Sequence, residues 1–131
     1  MNKHSRGFTV IELIVIVVIL GAASLLFFVQ KGNVEVTARD AQRKTAINAM
    51  YYSLEEVFYK ANGFYPSTIS ATNLPSVDPT LFNDPSGVAL GTSGSNYRYD
   101  PTNCNNNECK SYTLRTTLEN EADYIKTSIN H

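Results

Sequence analysis

The stretch FTVIELIVIVVILGAASLLFFV, residues 8–29, decides how the rest of this 131-residue chain is read. It holds a single ionisable group, Glu12, and residues 13–30 carry no charge. As an α-helix, twenty-two residues span roughly 33 Å, enough to cross the hydrocarbon core of a bilayer. A core helix of that length would find nothing to pack against in so small a protein. The stretch is therefore read as a membrane segment. A carboxylate inside it costs about 2.5–3.5 kcal/mol, which marks Glu12 as a functional residue. Snorkelling to the membrane face, four residues into the segment, is the competing account of that acid.

On the N-terminal side stand Lys3 and Arg6. A basic start and an apolar run also make a secretory signal, and Gly21-Ala22-Ala23 would serve as its cleavage site. A cut there would leave Leu25-Leu26-Phe27-Phe28-Val29 on the mature protein. A plain signal anchor leaves Glu12 unexplained. Counting positive charges does not orient the segment, because Lys31, Arg39, Arg43 and Lys44 follow it. A long following domain crosses regardless of such charges.

The stretch Arg6-Gly7-Phe8-Thr9-Val10-Ile11-Glu12-Leu13 closely resembles the type IV pilin and pseudopilin signature. A short basic leader ends in Gly, an aromatic residue follows, and Glu stands four residues on. The resemblance implies cleavage between Gly7 and Phe8 by a prepilin peptidase, and methylation of the new Phe8 amino group. It implies that Glu12 pairs with the Phe8 amine of a neighbouring subunit in a filament core, where an acid needs a positive partner. It also implies an assembly platform, minor pilins and copies of the same chain as partners, with nucleic acid entering only through a role in DNA uptake. Two features depart from the family. Where many major pilins carry a late helix proline, this chain has Val29, leaving Gly21 and Gly32 as the candidate weak points of the helix. No Asp- and Gly-rich calcium loop follows Leu118, so no metal or other cofactor is expected.

Working outward, residues 33–62 read as an amphipathic helix. Ile47, Met50, Leu54, Val57 and Ala61 form one apolar stripe, widened by Tyr51 and Phe58. Glu35 with Arg39, and Asp40 with Lys44, are spaced as surface i,i+4 pairs. Residues 37–46, polar and Ala-rich, read as exposed helix. Asn62-Gly63 followed by Pro66 is a strong stop. An unbroken helix from residue 8 to residue 61 would be roughly 80 Å long, which suits a filament subunit better than a lone domain.

Residues 62–107 contain all five Pro and eight Asn, the composition of ordered loops. Tyr97 and Tyr99, then Tyr112, Leu114, Thr116 and Leu118, alternate as two strands, with residues 100–109 expected to connect them. Residues 124–129 are a candidate third strand. Cys104 and Cys109, close to the expected hairpin tip in a protein bound for the outside, point to a local disulfide. A redox pair would more often be C-x-x-C, and a zinc site wants four ligands.

Net charge is −1, which gives no support to nucleic-acid binding by general electrostatics. The two histidines, His4 and His131, sit at the chain ends and leave no internal imidazole for a nucleophilic device. No enzyme is expected. The predicted fold is α+β and pilin-like: a long N-terminal helix, membrane-spanning in its first half, packed on a small antiparallel sheet. Its parts are a leader at 1–7, a filament-core helix at 8–30, an amphipathic helix at 31–62, and a loop and sheet region at 63–131. The expected function is that of a pilus subunit, first held in the membrane and then polymerised at the cell surface. A pseudopilin or competence-type pilin of a secretion or DNA-uptake system is the alternative within the family. A single-pass anchored binding module is the alternative outside it.

Overall fold

The computed structural model describes residues 7–131, so Lys3, His4, Arg6 and most of the expected leader lie outside the described residues. The chain divides into two compact units, the described residues up to Glu35 and Val36–His131. Helix α1, Val10–Tyr52, contributes to both. A π-helical stretch, Ser53–Tyr59, and a last turn, Lys60–Asn62, continue it. Gly63 ends it with φ 78°, its N–H donating to Tyr59 O at 2.7 Å. Glycine takes this left-handed cap without a Cβ penalty, as the Asn-Gly-x-x-Pro pattern predicts.

In the second unit the sheet has four antiparallel strands: β1 Tyr65–Pro66, β2 Tyr97–Asn105, β3 Glu108–Thr116 and β4 Tyr124–Thr127. β3 is central, with β2 along one edge and both β1 and β4 along the other. The outer half of the helix lies on this sheet. Ile47, Met50 and Leu54 meet Tyr65, Tyr97, Tyr112 and Leu114 in one core, completed by Ile69, Leu74, Val77 and Phe82 from the long loop.

Several details differ from the sequence expectations. The connection between β2 and β3 is not residues 100–109 but the two-residue turn Asn106-Asn107, both with positive φ (49° and 69°). Such turns match the twist of paired strands, and Asn tolerates the conformation. β2 carries Pro101 within it, which an edge strand accommodates. β1 is too short to leave a periodic signal.

The apolar stripe also shifts. Val57 and Ala61 are exposed, while Ser53, Leu54 and Glu55 are all buried. A π-helix closes i→i+5 bonds and holds more residues per turn, so the inward face continues through Phe58 and Tyr59 instead. That phase brings Glu55 inside. Its carboxylate accepts from Tyr65 Oη and Tyr112 Oη, each at 2.8 Å, and from the Ile129 N–H at 3.2 Å. Burial, reinforced by Glu55, pushes the Tyr112 hydroxyl far above its ordinary pKa. Burial likewise pushes Tyr65 up to about 12, so both remain donors.

Residues 37–46 are not simply exposed: Asp40, Arg43 and Ala46 are buried. The expected pairing of Asp40 with Lys44 is replaced by contacts to the loop after β3. Arg43 bridges Asp40 (2.8 Å) and Glu119 (2.9 Å), Arg39 binds Glu119 through both carboxylate oxygens (2.7 Å each), and Lys44 binds Glu121 (2.7 Å). Asp40 also accepts from the backbone N–H groups of Glu119 and Asn120. Desolvation would raise the Asp40 pKa, but those backbone hydrogen bonds and Arg43 outweigh it and hold it below the ordinary value.

Hydrogen bonds from Arg39, then Arg43, lower the Glu119 pKa from 4.5 to about 2. A depressed carboxylate stabilises the fold fully above its unfolded value and loses that contribution as pH falls through its folded value. Stability should therefore fall between about pH 4.5 and pH 2. In Glu119→Gln that part of the decline should flatten, as followed by denaturant midpoints across the acid range.

Candidate functional site

Three residues, Gly7, Phe8 and Glu12, carry the chemistry expected at the N-terminus. Gly7, Phe8 and Thr9 precede the helix, and α1 begins at Val10 rather than at Phe8. The reason is Thr9. Its Oγ1 accepts from the Glu12 N–H at 3.2 Å, and its carbonyl accepts from the Leu13 N–H at 3.1 Å, which makes it the N-cap. Thr9-Val10-Ile11-Glu12 has the capping-box spacing, with Glu12 at the third helical position. Glu12 therefore has a local role beside any intersubunit one, since an acid in the first turn also opposes the positive end of the helix dipole. The sequence signal was present in the Thr-x-x-Glu spacing.

Gly7 and Phe8 are both exposed, Phe8 at 72%. From Phe8 to Val29 every large apolar side chain is exposed, each by at least 42%. The helix is long and apolar enough to cross a membrane, with a mean hydropathy of 2.9 over its most apolar window. None of that window is buried among the described residues. An uninterrupted apolar surface of this size needs lipid or other protein around it.

Ser24 returns its hydroxyl to the Leu20 carbonyl at 2.8 Å, which satisfies the only side-chain hydroxyl of residues 10–30 without water. Gly21 and Gly32 have helical backbones, and a Cβ built on either would meet nothing within 4 Å. Neither glycine is required by packing within the chain. Each still lacks the helix propensity of alanine by about 1 kcal/mol.

In the second unit, Cys104 and Cys109 are joined as a disulfide. They are directly opposite in the β2–β3 register, next to the pair Asn105 and Glu108 that flanks the turn. Cys109 is buried against Tyr65 of β1, and Cys104 is exposed. Among the described residues no group of His, Cys, Asp and Glu is arranged to hold a metal ion.

Residues 2–28 match the family model of the prokaryotic N-terminal methylation motif, the signature of type IV pilins and pseudopilins. Comparison with curated proteins and with solved structures finds no match. The match contains Gly7, Phe8, Glu12 and the apolar segment to Phe28 in one register.

Replacing both cysteines by serine should leave the sheet folded, because the closed loop is short and its chain-entropy contribution is about 2 kcal/mol. Denaturation of the reduced and oxidised protein checks this: reduction of the native chain should lower the midpoint, and the double variant should not respond.

Proposed function

We propose that this chain is a pilin-type filament subunit. The observation that carries the reading is the methylation motif at residues 2–28, continuous with an apolar helix whose large side chains are exposed among the described residues. Prepilin peptidase cuts between Gly7 and Phe8 and methylates the Phe8 nitrogen. The helix holds the subunit in the membrane until an assembly platform, with minor pilins, draws it into a filament of identical copies at the cell surface. No residue is assigned a catalytic role.

The energetics define what Glu12 must do. Apolar helices leaving lipid for a bundle exchange one apolar surrounding for another, so bulk hydrophobicity does not select the filament. Packing and specific polar pairs do. A Phe8 ammonium and a Glu12 carboxylate from neighbouring subunits each lose water in the bundle, and each is the other's compensation. Because Glu12 stands at a fixed distance from the helix start, one pair per subunit sets the axial register. Gly21 and Gly32 are where the helix yields most readily if extraction bends it.

A bulky residue at position 7 should block the cut and leave a membrane-held precursor, visible as a slower band with no fibres. Glu12→Gln separates the two roles of the acid. Glutamine keeps the capping-box geometry but removes the charge, so membrane level and leader cleavage should stay normal while fibre yield falls at least about tenfold, the scale of a ~1.4 kcal/mol loss per added subunit. Glu12→Asp should be intermediate. Wild-type fibre yield from Glu12→Gln would reduce Glu12 to a helix cap, and intact fibres from an uncut position-7 variant would sink the filament reading.

A further inference from the structure

A cleft of about 360 Å³ opens along the free edge of β2, walled by residues 90–95 on one side and residues 67–69 on the other. Its wall is held by bonds to backbone, and of its own side chains only the Ser95 hydroxyl takes part, accepting from the Tyr97 N–H at 3.1 Å. Asp84, buried, accepts from the backbone N–H groups of Ser86, Val88 and Asn96. Leu90 N–H donates to Phe82 O, Thr92 N–H to Ala89 O, and Ser95 N–H to Thr92 O. Gly91 and Gly94 turn the loop with φ of 83° and 89°, a region glycine enters freely.

The side chains facing this cleft are left with hydrogen-bonding capacity to spare. Among the described residues, the hydroxyls of Thr68, Thr92 and Ser93 and the Arg98 guanidinium make no hydrogen bond or ion pair. Tyr99 contributes a half-buried ring on the cleft wall, its hydroxyl fixed on the Pro66 carbonyl at 2.7 Å. Arg98 and Asp100 lie two residues apart on the same side of β2, about 7 Å along the strand, as an exposed donor and acceptor. Asp100 has only a 3.6 Å contact to Arg115.

We propose that this cleft binds a short saccharide of one or two sugar rings. An apolar ligand would leave the wall hydroxyls dry and unpaired, each at a cost. A simple oxyanion would meet Arg98 but also the Asp100 carboxylate on the same rim. A polyhydroxylated ring carries both donors and acceptors, and so matches a rim that offers Arg98, Asp100 and the wall hydroxyls together. The volume matches such a ligand, and the site is preformed, as small-molecule sites usually are.

The test is an amide chemical-shift titration of the full chain in micelles of a neutral polyoxyethylene detergent, which carries no sugar headgroup. The probes are maltose, lactose, N,N′-diacetylchitobiose and, separately, sodium sulfate. Saturable shifts at Thr92, Ser93, Arg98 and Tyr99 with at least one disaccharide are expected. Affinity should fall about tenfold in Arg98→Ala and in the Thr92→Ala/Ser93→Ala double variant, all exposed positions whose truncation leaves the core intact. The proposal is overturned by no saturable shift with any of the three sugars, by shifts with sulfate alone, which mark an anion site, or by sugar binding that the variants leave unchanged.

Discussion

A buried carboxylate whose partners among the described residues are two phenols and a backbone N–H ties the second unit together. Glu55 sits in the π-helical stretch of the helix and reaches three separate parts of the sheet region: Tyr65 in β1, Tyr112 in β3 and the backbone of Ile129 after β4. The Tyr65 hydroxyl then receives both the backbone and side-chain N–H groups of Asn130. A buried ion without donors would cost several kcal/mol, so helix, β1, β3 and the C-terminal segment must all be in place together. Within an ideal α-helix the side chain would fall on another face. The π-helical irregularity is the local cost of meeting that requirement, and such bulges recur where a helix must place one particular residue.

The ionic cluster at the other end of the packed helix works differently. Arg39, Arg43 and Lys44 bind Glu119 and Glu121, and Asp40 receives the backbone of the same loop. These bonds tie residues 117–121, which have no strand partner, to the helix surface. Arg43 and Asp40 are its buried members, and the Arg43 Nε finds no acceptor among the described residues. The cluster therefore depends on Asp40 and Glu119 staying ionised.

Legibility in the sequence followed the range of the interactions. The apolar segment, the Gly63 stop, the alternation in β3 and the disulfide are local patterns or rest on residues close in sequence, and they read directly. The inward turn of Glu55 is not local: its partners lie ten, fifty-seven and seventy-four residues away. Periodicity alone therefore placed Val57 and Ala61 on the core face. Asp40 and Lys44 had ideal surface spacing, yet each found a stronger partner some eighty residues on. Tertiary geometry overrode helix spacing in both cases. At the N-terminus Thr9 was read only as part of a motif and not as the cap that starts the helix. The wall around Asp84 was hidden because its bonds are to backbone, which composition does not reveal.

The edge of the sheet carries one more consequence. A strand paired on one side only is a template on which any identical chain can zip, and the risk rises with local concentration. β2 is such a strand, and it is interrupted twice. Pro101 has no N–H to offer, and Asn103 turns left-handed at φ 53° in mid-strand. Both break the regular row of donors and acceptors that an added strand would need. These two interruptions close amyloid-like stacking along this edge as a route of association.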